Sequence, residues 1–271
     1  MENNQIIREF YDKQSAYEWE RLAQHPFEFE INLRFLKRHI KPGDRVLDVG
    51  GGPGRYSFAL RDLGCDVTLV DLSPGNVRFA EEKARELGLP LRAFAADARD
   101  LSCLADEMFD HVLCMGPLYH LLEESDRERA VRECLAHLKP GGTLAVSFIS
   151  LTSGLIFMGR ENPGILITPA EAEPLAAMIR DDSWGGQGFT RAFFTSPGAV
   201  LPFMERFPLE KLHFLASEPV VCAFEDRILA QPPEVVSAWM DLAEKVCEQE
   251  RFYHFSEHLL YIGRKDVTPH A

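Results

Sequence analysis

The sequence predicts an α/β fold built around a parallel sheet, and three observations carry that prediction. Strand and helix signals alternate with short connections from residue 44 to residue 150. The first strand runs straight into a glycine turn, V-L-D-V-G-G-G-P-G at 46–54. Three acids, Asp48, Asp71 and Asp97, fall at the C-terminal ends of successive strands, beyond which open α/β sheets bind their ligands.

Taken in order, residues 1–41 read as two helices. The first runs through Tyr11, Tyr17 and Trp19, is polar, and is expected to lie across the ligand crevice as a lid. The second, Phe27–Ile40, repeats Phe27, Ile31 and Phe35 every four residues and should pack on the sheet. Strands follow at Arg45–Val49, Val67–Asp71, Leu91–Asp97, His111–Met115 and Thr143–Ser150. A helix over Arg55–Leu63 ends at Gly64, and another over Asn76–Leu87 starts at Ser73-Pro74 and stops at Gly88. A third helix, Asp126–Leu138, leads through Lys139-Pro140-Gly141-Gly142 into the fifth strand.

After Ser150 the pattern degrades. Residues 151–192 hold scattered glycines and prolines, a helical stretch near Ala170–Arg180, and Trp184-Gly185-Gly186, which reads as a flap or a solvent loop. A helix from Ser196 to Arg206 and a strand over Lys211–Val221 come next. An irregular or helical insert at 222–256 precedes a last strand, His258–Arg264. The domain plan is a core at 42–150, inserts at 151–192 and 222–256 forming an acceptor pocket, and closing elements at 193–221 and 257–266.

The formal net charge of −13 disfavours a nucleic-acid groove or an anionic membrane surface, which are bound through basic patches. Six cysteines show no C-x-x-C pair and no metal-ligand spacing with histidine, so a reduced, cytoplasmic setting without a metal is expected. The polar N-terminus has no apolar signal region, and no long apolar run occurs elsewhere.

The glycine spacing is Gly-x-Gly-x-Gly. Arg55 and Tyr56 deny the later glycine of the dinucleotide fingerprint, and Asp48 two residues upstream suits an amino-bearing ligand better than a pyrophosphate. These features favour S-adenosylmethionine over NAD. Asp71 is placed to accept both ribose hydroxyls, Asp97 to accept from an adenine amino group, and the Ala98 backbone to meet the adenine ring.

Taken together, V-L-D-V-G-G-G-P-G, T-L-V-D-L-S, A-A-D-A, F-D-H-V-L-C-M-G-P-L-Y-H-L and L-K-P-G-G-T-L resemble the class I S-adenosylmethionine-dependent methyltransferases of small-molecule type over residues 44–150. The resemblance implies a Rossmann-like, seven-stranded, mostly parallel sheet with an antiparallel last strand, helices on both faces and inserted cap segments. It implies that Gly50, Gly52 and Gly54 approach the methionine part, with Gly51 in the same turn and Leu72 beside the ribose acid. Asp48 would lie near the amino end, Met115 and Gly116 would offer backbone beside the sulfonium, and Tyr11 would close over it. The product would be S-adenosyl-L-homocysteine.

The reaction implied is in-line displacement at an activated methyl, in which alignment and water exclusion provide most of the acceleration. His120 is the candidate base and Tyr119 an acceptor-orienting hydroxyl, since both follow the fourth strand. Tyr11, Tyr17 and Trp19 offer aromatic faces to a sulfonium. Phe157, Met158, Phe189, Phe193, Phe194 and Phe203 suggest a partly apolar small-molecule acceptor, while His25, His254 and His258 read as structural. The expected partner is that acceptor alone, for a monomer or homodimer. Competing readings are a methyltransferase of protein or RNA, a non-catalytic S-adenosyl-ligand binder, and an NAD-dependent oxidoreductase.

Overall fold

Three helices open the chain in the computed structural model, which describes residues 2–188 and 190–267. They are α1 (Glu2–Asp12), α2 (Ser15–Gln24) and α3 (Pro26–His39). The stretch expected to be one polar helix is thus two, joined by a turn at Lys13-Gln14. The core continues as β1 (Arg45–Val49), α4 (Arg55–Asp62), β2 (Asp66–Asp71), α5 (Pro74–Leu87), β3 (Arg92–Ala95), β4 (Phe109–Cys114), α6 (Glu124–Ala136) and β5 (Leu138–Ser150). Each element lies within a few residues of its expected bounds. The Lys139–Gly142 turn survives as an irregularity, because β4–β5 pairing jumps from Phe109↔Leu138 to His111↔Thr143.

The remaining elements are α7 (Leu151–Glu161), α8 (Pro169–Arg180), β6 (Ser183–Gln187), β7 (Arg191–Thr195), α9 (Pro197–Met204), β8 (Leu209–Ala216), α10 (Glu225–Leu229), α11 (Pro233–Val246) and β9 (His258–Lys265). Strands β3-β2-β1-β4-β5 are parallel neighbours, and β9 runs antiparallel between β5 and β8. These seven are the strands the sequence announces, with the last one antiparallel as expected.

The sheet nevertheless has nine strands, not seven, because the β6–β7 hairpin joins it. Ile149 pairs with His258 of β9 and also with Phe194 of β7, so these strands flank opposite edges of β5. Since β4 pairs with β5 only as far as Val146, β7 takes the same edge beyond the point where β4 stops. The flap expected around Trp184 is therefore a sheet extension standing over the loop after β4. Glycines 185 and 186 hide β6 from a propensity reading; pairing with Phe193 and Ala192 makes it a strand.

Alternation along the strands splits the core in two. Leu47, Val49, Val112, Val146 and Phe148 pack under α6 and α9, whereas Val46, Leu113, Ala145, Leu260 and Ile262 meet α3 and α11. Expected strand Lys211–Val221 stops at Ala216, and Val220 lies at a positive φ of 70°, a conformation that a β-branched residue adopts only where the chain must turn. Helix α7 was hidden by Gly154 and Gly159, which lower helix propensity.

Candidate functional site

A cavity of about 900 Å³ opens at the C-terminal ends of β1–β5, between the sheet and a cover made of α1, α2, α7 and the hairpin. Its floor is the turn after β1. Gly50 sits at φ 69°, and a Cβ there would collide with the Pro117 ring, so the loops after β1 and β4 can touch only because residue 50 lacks a side chain. At Gly52 a Cβ would meet only Asn76 Nδ2, at 3.9 Å, and would project into the cavity. Gly51 lines the floor as well. Gly54 does not: it stands at the N-terminus of α4 at φ 95°, packed against the Phe58 ring.

Two acids at the strand ends are held by the protein. Asp48 accepts a 2.7 Å hydrogen bond from Ser57 Oγ, and burial pushes its carboxyl up to about 6 against that bond. Asp71 accepts from the backbone N–H of Gly52 and Ser73 and from Asn76 Nδ2, at 2.8–3.1 Å. Burial raises its pKa nonetheless, and Asp48 feels its charge. Leu72 lines the cavity beside it.

Asp97 also lines the cavity. Its two oxygens receive Arg99 through the backbone N–H, Nε and Nη2, plus Asn4 Nδ2 of α1. Burial is outweighed by Arg99, which holds the pKa of Asp97 below the usual carboxylate range. Its side chain is thus already engaged by protein donors, while Ala98 keeps its place in the cavity wall.

Helix α1 is latched over the site by polar contacts along its length. Asn3 donates to the His120 carbonyl, Asn4 to Asp97, and Asp12 Oδ1 accepts from Ser73 Oγ and the Gly75 N–H at the start of α5. Tyr11 Oη lies 2.7 Å from His120 Nε2, and His120 Nδ1 lies 2.9 Å from the Arg191 carbonyl of β7. A carbonyl only accepts, so Nδ1 carries the ring proton and Nε2 accepts from the Tyr11 hydroxyl. Burial pushes the His120 pKa down to about 4, keeping the ring neutral. Tyr119 donates to the Met115 carbonyl at 3.2 Å, and burial raises its pKa. Met115 and Gly116 line the cavity between these groups and Gly50.

Of the other aromatic and apolar residues singled out, Tyr17, Phe157, Met158, Trp184 and Phe194 line the cavity. Trp19 does not; it lies under the Arg55 guanidinium at 4.1 Å, among Phe58 and Phe79. Phe193 packs under Arg127 and Phe203 belongs to the core against Phe148, because both face away from the cover. Phe189 lies outside the described residues. From 222–256 only Cys222 and Glu225 reach the cavity, while Glu244 of α11 is tied to Arg34 and Arg38 of α3.

What sequence reasoning missed is an ionisable wall contributed by α2, α3 and the start of β9. His258 Nδ1 lies 2.7 Å from Glu218 and 3.7 Å from Glu28, and Arg21 bridges Glu18 and Glu28. Burial alone would lower the His258 pKa; the Glu28 and Glu218 carboxylates outweigh it and push it up to about 9. The three ligand-type atoms of Glu28, Glu218 and His258 lie within 4.8 Å of one another, yet the short Nδ1–Oε1 contact is that of a proton shared in an ion pair. His25 likewise pairs with Glu225 at 2.8 Å. His25 and Glu225 are 200 residues apart in sequence and His258 and Glu218 are 40 apart, so no local spacing could have revealed those pairs.

Residues 46–142 match the family model described as a methyltransferase domain. The glycine turn and the three acids at strand ends, Asp48, Asp71 and Asp97, all fall within this segment, which is thus similar to a methyltransferase domain. Over 123 residues the chain is 35% identical to a ubiquinone biosynthesis O-methyltransferase of Xanthomonas axonopodis pv. citri (strain 306), covering 45% of this chain and 50% of that protein. It is 37% identical over 146 residues to a glycine/sarcosine N-methyltransferase of Parasynechococcus marenigrum (strain WH8102), covering 52% and 49%. The chain thus spans about half the length of the curated relatives it matches. In fold it is similar to the N-methyltransferase NodS from Bradyrhizobium japonicum WM9, solved with S-adenosyl-L-homocysteine. That likeness has a TM-score of 0.58 and 16% identity, and covers 96% of this chain and 98% of that one.

Proposed function

We propose that the chain transfers the methyl group of S-adenosylmethionine to a small-molecule acceptor held beneath its cover. One observation carries this: a single cavity runs from the glycine turn and the β2 acid, past the 115–120 loop, to a wall built from α7 and the hairpin. The floor fits a nucleoside with an amino-acid tail, since Gly52 leaves room that any side chain would fill and Asp48 is a buried acid awaiting a cation. Gly50, Gly51 and Gly52 would hold the tail, Asp48 its amino end, Asp71 and Leu72 the ribose, and Ala98 the ring. When bound, S-adenosylmethionine supplies an electrophilic methyl.

The chain's own part is alignment and exclusion of water. Helix α1 covers the site, Tyr119 and Met115 shape the acceptor side, and His120 presents a neutral Nε2 that can take a proton once Tyr11 turns away. The insert at 151–192 would frame the acceptor pocket, joined by Cys222 and Glu225 from 222–256. Net charge −13 favours a small molecule over nucleic acid or an anionic membrane as partner, and six free thiols fit a cytoplasmic setting. Among the described residues no helix is long and apolar enough to cross a membrane.

The test is calorimetric titration with S-adenosyl-L-homocysteine and with NAD, on wild type and Asp71→Ala. Micromolar binding of the first alone is expected, weakened about ten-fold or more in the variant through loss of a charge-assisted contact. Binding of NAD instead, or of neither, would overturn the reading.

A further inference from the structure

Beyond Tyr119 the cavity has two unlike walls. One is apolar: Ile149, Met158, Ile165, Met178, Trp184 and Phe194 belong to a small cluster of their own and border the cavity. The other is the ionisable wall. It begins next to Tyr119, whose hydroxyl senses Arg21, Glu28 and Glu18, and it ends at Glu257, just before β9. Helix α7 joins the two, since Met158 faces the apolar cluster while Arg160, two residues on, reaches toward Glu257.

The charges in this wall are unequally matched. Each of the cations other than Arg160 has a carboxylate of the wall within hydrogen-bond distance: Arg21 has Glu18 and Glu28, His25 has Glu225, and His258 has Glu218. Arg160 bonds Glu161 at 3.0 Å, outside the wall, and stays 3.6 Å from Glu257. The Glu257 carboxylate is left with that long contact as its closest ionic partner among the described residues, although its side chain is only 17% exposed. Glu218 and Glu28 add negative potential, and His258 and Arg160 subtract from it. Burial, with Glu218 adding, pushes the Glu257 pKa up to about 7. An acid in this state is best satisfied by an incoming hydrogen-bond donor that carries positive charge.

We propose that the acceptor is an amphipathic amine whose ammonium group docks on Glu257 while its apolar body lies along the α7–hairpin wall. This rests on the methyl-transfer reading and names its substrate class. The ammonium is an anchor for the acceptor, and Glu257 is a specificity residue rather than a base. Three carbon-matched probes test it on protein loaded with S-adenosyl-L-homocysteine: n-octylamine, octanoate and 1-octanol, each titrated from about pH 6 to about pH 8, where the amine stays an ammonium.

Octylamine is expected to bind about ten-fold more tightly than octanoate at the upper pH, with octanol between them. Its affinity should rise with pH as Glu257 ionises, and Glu257→Gln should remove both the preference and the pH dependence. Octanoate binding as well as octylamine, a flat pH profile, or an unaltered Glu257→Gln variant would each overturn the proposal. If that variant does not fold, the wild-type pH series decides alone. Failure of S-adenosyl-L-homocysteine to bind sinks the methyl-transfer reading itself, whereas binding without amine preference sinks only the anchor.

Discussion

The two ends of the cavity are built on opposite plans. At the glycine turn, the walls are backbone: Gly50 touches Pro117, Gly52 donates to Asp71, and Ser73 and Gly75 donate to side-chain oxygens. At the α7–hairpin end, the walls are side chains drawn from distant elements, with ion pairs such as His258–Glu218 and His25–Glu225 facing a wall of methionine and aromatic residues. A backbone-built site tolerates little change and suits one invariant ligand. A site built of side chains can be altered residue by residue, as the proposed acceptor pocket would require.

That contrast breaks most sharply at Gly50→Ala. The position combines φ 69° with a collision against the Pro117 ring, so the added methyl meets both backbone strain and steric conflict. A loss of about 2–4 kcal/mol of unfolding free energy is expected, from left-handed strain plus overpacking. S-adenosyl-L-homocysteine binding should vanish in whatever fraction stays folded. Chemical denaturation and calorimetry read the two effects separately, and a variant as stable as wild type would show that the β1 and β4 loops can part freely.

Legibility from sequence followed the same division. The strands β1–β5 were readable because they rest on local signals: apolar runs, glycine stops, and an acid at or just after the ends of β1, β2 and β3. Asp71 and the 50–52 turn line the cavity as placed. Asp97 lines the cavity too, but its ion pair with Arg99, only two residues away, was not legible, because a loop arginine can point anywhere until its partners are known. The hairpin and the ionisable wall were not legible at all. Two glycines mask β6, and the wall joins α2 and α3 to residues near position 218 and β9, so its pairing exists only in the fold.

His120, buried under α1, and His258, partly buried in the ionisable wall, should give the halves opposite pH signatures. His120 has its pKa pushed down to about 4, so the unfolded chain binds its proton first. Its contribution is fully present above about pH 6.5, the unfolded value, and is lost as pH falls toward 4. His258 is pushed up to about 9, so its contribution is fully present below about pH 6.5 and is lost as pH rises through 9. Each limb should amount to about 1–3 kcal/mol, given shifts of this direction in groups so little exposed. Urea melts across pH should show His120→Gln flattening the acid limb and His258→Gln the alkaline limb. The reverse assignment would mean that Tyr11 and Glu28 do not hold the rings as described.

The smallest effect expected is the most discriminating between the two plans. In α7, Gly154 packs so that a Cβ would stand 2.7 Å from Met178 Sδ. Replacing glycine by alanine inside a helix gains up to about 1 kcal/mol, and a methionine side chain can swing away at similar cost. Gly154→Ala should therefore leave stability within about 1 kcal/mol of wild type, because the two terms oppose each other. Met178 has to move, and the cavity is the open space beside it, so the apolar wall changes shape while the glycine turn does not. Affinity for S-adenosyl-L-homocysteine should stay the same and octylamine binding should weaken. Equal weakening of both would mean that the ends of the cavity are mechanically coupled, and that the cover and the floor respond as one body.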